Sequence, residues 1–187
     1  MTTSLFIGVP LSPNYANEYC DLLTTLRHSI PEFVPTFSHT PHFSLFYLTK
    51  ESYEQIEKLT NIVREYKKLL KEEEAHVQNF DYFNKSKPKT VFLQVDKKEA
   101  FSLFNNKMRE KLKEFSAVDN NYPFHPHMTI GNLIDNIEEE KCKSILNAIS
   151  KQCENINWRY ALTEINIYRV DSSQTPQYQE IINSIKM

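Results

Sequence analysis

One five-residue pattern occurs twice in this chain, as Pro41-His42-Phe43-Ser44-Leu45 and as Pro126-His127-Met128-Thr129-Ile130. In an extended strand successive side chains alternate faces, so His42 and Ser44 point one way and Phe43 and Leu45 the other. His127 and Thr129 oppose Met128 and Ile130 in the same manner. Each copy therefore calls for a strand with one apolar face buried against helices and one face that offers an imidazole beside a hydroxyl. The copies lie 85 residues apart (127 − 42), far enough for each to occupy its own half of a duplicated domain. Two imidazoles and two hydroxyls facing a common cleft would make an acid/base site for phosphate chemistry that needs no metal.

The elements around the two copies alternate in a way that fits this picture. Ser12 and Pro13 read as the cap and first residue of a helix carrying Tyr15, Tyr19, Leu22, Leu23, Leu26 and Ile30 at helical spacing until Pro31. Thr49 caps a second, with Ile56, Leu59, Ile62, Val63, Tyr66, Leu69 and Leu70 on one face, predicted to pack across the sheet that holds the first motif. From Ala75 to Val95, aromatic and β-branched residues interrupted by Asn84-Lys85-Ser86-Lys87-Pro88 predict two strands joined by a basic turn. Asp96 with Glu99 resembles a capping box opening a third helix with Phe101, Phe104, Met108, Leu112 and Phe115 inward. Asp119-Asn120-Asn121 marks a loop. Asp135 starts a fourth helix with Glu138 to Glu140 in its first turn and Ile137, Ile145, Leu146 and Ile149 inward. A strand from about Tyr160 to Val170 and a short helix after Pro176 close the chain. The order is that of an α+β fold with a rough internal repeat and no linker, hence a single compact domain of two pseudo-symmetric lobes, each a small, mostly antiparallel sheet with outer helices.

Composition narrows the chemistry. With 187 residues, 40% hydrophobic, the chain can bury one core. A net charge of −2 argues against a broad basic groove for long duplexes, which need many phosphates neutralised. Only Gly8 and Gly131 occur, which excludes a G-x-G-x-x-G turn and a Walker loop. Any bound phosphate must then be held largely by side chains. Cys20, Cys142 and Cys153 are odd in number and lack C-x-x-C spacing, as expected of reduced thiols in the cytoplasm. No basic region precedes the first apolar stretch and no run has the length of a membrane span, so a soluble, intracellular protein is expected, with no membrane partner.

The doubled motif resembles that of the 2H phosphoesterases, a family that includes 2',3'-cyclic nucleotide phosphodiesterases and 2'-5' RNA ligases and is named for two His-x-[Ser/Thr]-x motifs with apolar flanks. Ser4-Leu5-Phe6-Ile7-Gly8-Val9 is similar to the family's opening strand, Val91-Phe92-Leu93-Gln94-Val95 to a middle strand and Ile165-Asn166-Ile167-Tyr168 to the closing one. Ser44 stands where many relatives have Thr and keeps the hydroxyl. The resemblance implies one domain over residues 1–187, with the two motif strands adjacent at the floor of a cleft between lobes. It also implies a monomer acting on RNA ends or small nucleotides that carry a cyclic phosphate or a 2'-5' linkage.

Breaking a phosphodiester needs a base for the attacking oxygen, an acid for the leaving oxygen and donors for the phosphoryl oxygens. Histidine suits both proton roles near neutral pH. His42 and His127 are thus the candidate catalytic pair, with the order of base and acid open, and Ser44 and Thr129 the candidate phosphate-binding hydroxyls. No cofactor is called for. A metal site built on His125 and His127, with His39 and His42 completing four ligands, is the competing arrangement. It leaves the hydroxyl after each motif histidine unexplained and has no carboxylate or thiolate beside it, so no metal is expected. Tyr47, Tyr122, Phe124, Asn132 and the Lys85, Lys87 and Lys89 turn are further candidates for the cleft's border. RNA end joining by the same proton carriers, or a non-catalytic nucleotide-binding module, are the rival functions.

Overall fold

A computed structural model describes residues 3–36, 40–48, 53–113, 123–171 and 178–187. The chain forms β1 (Thr3–Pro10), α1 (Ala16–Ser29), β2 (Phe33–Pro35), β3 (His42–Leu48), α2 (Tyr53–Tyr66), β4 (Glu74–Tyr82), β5 (Thr90–Val95), α3 (Glu99–Leu112), β6 (His127–Leu133), α4 (Glu139–Cys153), β7 (Asn157–Ala161), β8 (Glu164–Asp171) and β9 (Tyr178–Lys186). The strands make two antiparallel sheets, in the orders β3-β1-β8-β9 and β2-β6-β5-β4-β7. This is the α+β, two-lobed architecture expected. One contiguous apolar cluster runs from Leu5, Ile7 and Val9 through Phe43, Leu45 and Phe101 to Leu93, Met128 and Ile130, joining the two sheets.

The lobes are not the two halves of the chain. β1, β3, β8 and β9 bring both ends of the chain into the first sheet, and the second takes the middle together with β2 and β7. Helices are exchanged as well. α1 follows β1 but packs on the second sheet, where Glu18 accepts from Trp158 Nε1 of β7 at 2.8 Å. α3 follows β5 but packs on the first sheet, where Phe101 meets Phe43 with ring centroids 5.5 Å apart. α3 thus connects two strands of the second lobe yet roofs the first, α1 leads from the first lobe into the second and roofs the second, and the lobes share one core.

The helices begin and end for local reasons. Ser12 accepts from Asn14 N at 3.4 Å and Pro13 opens a single 3-10 turn, after which α1 buries Tyr19, Leu22, Leu23 and Leu26. α2 continues into a 3-10 turn over Lys67–Leu70 and packs on α3 and β9, where Thr60 accepts from Asn183 Nδ2 at 3.2 Å. Thr49, Phe115, Asp119-Asn120-Asn121 and Pro176 lie outside the described residues. The basic turn between β4 and β5 is present, and Asn84 adopts the left-handed conformation (φ 58°) that starts it.

Four expectations are corrected. Asp96 caps nothing: its carboxylate accepts from buried His76 Nδ1 at 2.8 Å and from Gln78 Nε2 at 3.0 Å, and α3 opens at Glu99 behind Lys98. Asp135 pairs with Lys89 Nζ at 3.1 Å, and Asn136, left-handed at φ 65°, prevents a helix from starting there, so α4 opens at Glu139 behind Glu138. The closing strand is a pair, β7 and β8, broken at Leu162 and Thr163, where Leu162 N donates to Glu73 O. The terminal segment is the edge strand β9 and no helix: it pairs along all of β8, and Ile181, Ile182 and Ile185 are at home on a pleated surface.

Candidate active site

β3 and β6 belong to different sheets, yet they approach one another and His42, Ser44, His127 and Thr129 line one cleft of about 480 Å³. Each strand carries a bulge in the same place. Pairing with β1 slips at Leu45, so Gly8 faces Ser44 and Ile7 faces Phe46; pairing with β5 slips at Ile130, so Phe92 faces Thr129 and Val91 faces Gly131. A bulge leaves its extra residue outside the ladder. Both stranded carbonyls are satisfied, Leu45 O by Asn105 Nδ2 of α3 at 2.7 Å and Ile130 O by Thr36 N at 3.0 Å.

The imidazoles are held alike. His42 Nδ1–H donates to Thr40 O at 2.9 Å and His127 Nδ1–H to His125 O at 2.7 Å. A carbonyl only accepts, so Nδ1 carries the hydrogen in both rings and Nε2 is the free acceptor of each neutral imidazole. Neither the Ser44 nor the Thr129 hydroxyl has a hydrogen-bond partner among the described residues. Tyr19 OH donates to Thr129 O at 3.2 Å and ties that strand to α1.

The rings around the histidines differ. His42 stacks on Phe6 (centroids 4.6 Å) and Tyr168 (4.7 Å), and those two stack on each other at 4.5 Å. Gly8 permits this: a Cβ there would lie 3.1 Å from the Tyr168 ring and 3.2 Å from His42 Cδ2. His127 meets Phe83 edge-on at 4.8 Å and lies tilted against Phe92 at 5.0 Å. Burial pushes the His42 imidazole down to about 4; the Thr40 carbonyl pulls it up and nearby His127 pushes it further down. His127 is also lowered, by burial first, against the pull of the His125 carbonyl, with the His125 ring adding to the fall. Near neutral pH both rings are therefore neutral bases in the free protein.

The four motif residues are thus brought together as expected, each from the strand expected. Tyr47 and Asn132 also line the cleft; Phe124 packs against the core, and His125 sits exposed at the rim. Lys85, Lys87 and Lys89 border a separate cavity, with Lys85 paired to Asp81 and Lys89 to Asp135. His39 and Tyr122 lie outside the described residues, and among the described residues no three metal-ligating side chains converge. Phe6, Tyr168, Phe83, Phe92 and Thr90 were not singled out by sequence. The alternation around Gly8 could have indicated Phe6, which shares its strand face, whereas Tyr168, Phe92 and Thr90 come from distant strands and Phe83 from the turn after β4.

A family model, the 2'-5' RNA ligase superfamily, matches residues 20–174. The chain belongs to this superfamily. The same fold occurs in protein TT0787 of Thermus thermophilus, 15% identical with a TM-score of 0.76 over 98% of this chain and 97% of that one. LigT of E. coli, solved with 3'-AMP, is 17% identical with a TM-score of 0.69 over 100% and 99%. The MHV ns2 PDE domain is 15% identical with a TM-score of 0.53 over 98% of each chain. Among curated proteins none matches significantly. Among the described residues of this superfamily member, no helix is long and apolar enough to cross a membrane.

Proposed function

We propose that this superfamily member is a metal-independent phosphodiesterase that opens 2',3'-cyclic phosphates or cleaves 2'-5' phosphodiester bonds of RNA or small nucleotides. One observation carries the reading: two imidazoles with Nδ1 tied back to the chain and Nε2 left unbonded line one cleft together with two unpartnered hydroxyls. In hydrolysis, one neutral Nε2 takes the proton of the attacking water as its oxygen bonds to phosphorus. The other, as Nε2–H, gives its proton to the sugar oxygen as the P–O bond breaks. Ser44 and Thr129 donate to the non-bridging oxygens. The substrate supplies the reason for the second ring to be charged, since a phosphodiester anion between the rings favours imidazolium and offsets the burial that lowers both. LigT, a protein of the same fold, is solved with 3'-AMP, which supports a nucleotide ligand here.

The test is turnover, in EDTA, of adenosine 2',3'-cyclic phosphate and 2'-5'-linked diadenylate. A phosphomonoester product is expected. No turnover of either substrate overturns the reading, and activity lost in EDTA but restored by zinc overturns its metal independence. A joined product from a cyclic-phosphate-ended RNA and a 5'-hydroxyl RNA would favour end joining, in which the 5'-hydroxyl replaces water as the attacking group and the same two proton transfers apply.

A further inference from the structure

One extra residue in a strand reverses the facing of everything beyond it. Strict alternation from His42 and Ser44 would turn Phe46 into the cleft, and from His127 and Thr129 would turn Gly131 there. Instead Leu45 and Phe46 are both buried, as are Ile130 and Gly131, and the faces reverse. Tyr47 and Asn132, each five residues after its motif histidine, line the cleft in their place. The two bulges therefore give the cleft a third pair of equivalent positions, beyond the histidines and the hydroxyls.

At this third pair the chemistry is no longer repeated. Tyr47 is 46% exposed, and its hydroxyl is held by Ser4 Oγ at 2.7 Å, which fixes the ring at the cleft's border. Asn132 is half-buried and its Oδ1 accepts from Thr90 Oγ1 at 3.0 Å. That bond orients the amide and leaves its Nδ2 hydrogens without a partner among the described residues. Tyr47 stands three positions after Ser44, and Asn132 three after Thr129, roughly 10 Å along a strand, a span suited to the nucleosides that flank a phosphate held by the hydroxyls.

We infer that Tyr47 and Asn132 are specificity-determining residues for the two nucleosides flanking the phosphate, Tyr47 stacking on the base of one and Asn132, positioned by Thr90, hydrogen-bonding the other. The substrate is then a phosphodiester with a nucleoside on each side, such as a 2'-5'-linked dinucleotide. This rests on the proposed placement of the phosphate between His42 and His127. Aromatic rings suit base faces of any sequence, while an oriented amide suits a polar edge.

The test compares 2'-5'-linked diadenylate with adenosine 2',3'-cyclic phosphate, by KM, kcat and calorimetric Kd, in the wild type, Tyr47→Ala, Tyr47→Phe, Asn132→Ala and Thr90→Val, with folding checked by circular dichroism. For the dinucleotide, Tyr47→Ala and Asn132→Ala should each raise KM and Kd about tenfold, with a smaller fall in kcat. Tyr47→Phe, which keeps the ring, should restore most of the loss. Thr90→Val should weaken binding less and add nothing to Asn132→Ala. For the cyclic mononucleotide, which has one nucleoside, only one of the two alanine variants should matter. Unchanged KM and Kd for the dinucleotide in both alanine variants overturns the inference and leaves the hydrolytic reading intact. So does an equal loss in both variants with both substrates, because both residues would then touch one nucleoside. If the wild type binds the dinucleotide but cleaves neither substrate, the variant-dependent Kd supports the inference while the hydrolytic reading falls. A wild type that binds neither substrate sinks both.

Discussion

β3 and β6 carry the same frame of histidine, hydroxyl and bulge, but they are supported differently. β3 is an edge strand, and the carbonyl freed by its bulge is satisfied by a helix side chain, Asn105. β6 has β2 beyond it, and its freed carbonyl is satisfied by the backbone of Thr36. His42 lies flat against two stacked rings, whereas His127 meets one ring edge-on and another at a tilt. Under the proposed reading the repeated geometry brings both Nε2 atoms to one phosphate, while the unrepeated surroundings set the two imidazoles in different ring environments. A symmetric substrate centre can in this way be served by an acid and a base drawn from copies of one motif.

The largest test of that equivalence is removal of either ring. His42→Ala and His127→Ala should each lower turnover by about 10² to 10⁴, because each deletes one of two proton carriers in a shared transition state. The double variant should be little worse than the poorer single one. Near wild-type turnover in either single variant would break the comparison at its root. Ser44→Ala and Thr129→Ala should cost less, about 10 to 10³, since a donor to the developing charge is lost while proton transfer survives.

The two glycines sharpen the comparison further. An added methyl at Gly8 meets the Tyr168 ring, His42 Cδ2 and Phe43 O at 3.1 to 3.2 Å, contacts that a few tenths of an ångström would relieve. Gly8→Ala should therefore shift the His42 ring and reduce kcat about tenfold, with thermal stability nearly kept. At Gly131 the methyl meets the Phe33 ring at 2.5 Å and Val34 O at 2.6 Å. Backbone cannot yield so far, so Gly131→Ala should cost about 1 to 3 kcal/mol of stability, read as a lowered denaturation midpoint. A reversed pattern would mean that His42 is not held in place through Gly8.

What was legible in the sequence is what depends on neighbours in the chain. The faces of His42, Ser44, His127 and Thr129 follow from alternation over three residues, and the stripes of α1 and α3 from a 3.6-residue period. The bulges left no mark, because Leu45 and Ile130 are ordinary strand residues whose displacement is set by pairing with β1 and β5. Sheet order was hidden for the same reason: β8 and β9 join β1 across most of the chain's length. Asp96 and Asp135 had the local signature of caps and lost it to partners from elsewhere, His76 and Lys89. The ring packing that separates the two histidines comes from β1, β8, β5 and the turn between β4 and β5, which no window around either motif contains.

The proton affinities predict a pH profile. The proposed mechanism needs one imidazole neutral and one protonated, and both are lowered, His42 to about 4. The maximum of kcat/KM, which reports the free protein, should lie below the ordinary histidine value of about 6.5. The two rings face one cleft and influence one another, so the two limbs of the profile belong to the pair. Phe6→Leu should expose the His42 ring and Phe83→Leu the His127 ring, and each should move the maximum up toward the ordinary histidine value. Stability has a matching sign. A folded pKa below the unfolded one means that unfolding takes up a proton, so the contribution of neutral His42 is complete above about pH 6.5 and is lost as pH falls toward 4. A melting midpoint no more acid-sensitive in wild type than in His42→Gln would contradict the burial argument.

The smallest expected effect concerns charge, where the two sheets also differ. The turn joining β4 and β5, in the second sheet, carries Lys85, Lys87 and Lys89, but this turn borders a separate cavity and two of the lysines are already paired with Asp81 and Asp135. Among the described residues no lysine or arginine lines the cleft itself. A phosphate gripped by hydroxyls and one imidazolium releases few counterions, so log affinity against log salt for a cyclic-phosphate-ended oligonucleotide should have a slope of about −1. Short oligonucleotides should then be cleaved about as well as long RNA. Duplex ends should react poorly, because paired bases cannot splay into the cleft. A slope steeper than about −4 would require several further phosphate contacts. If Lys87→Glu then made that slope shallower, the second sheet would be an RNA-binding surface as well as a wall of the cleft, and the near-equivalence of the two sheets around the phosphate would fail.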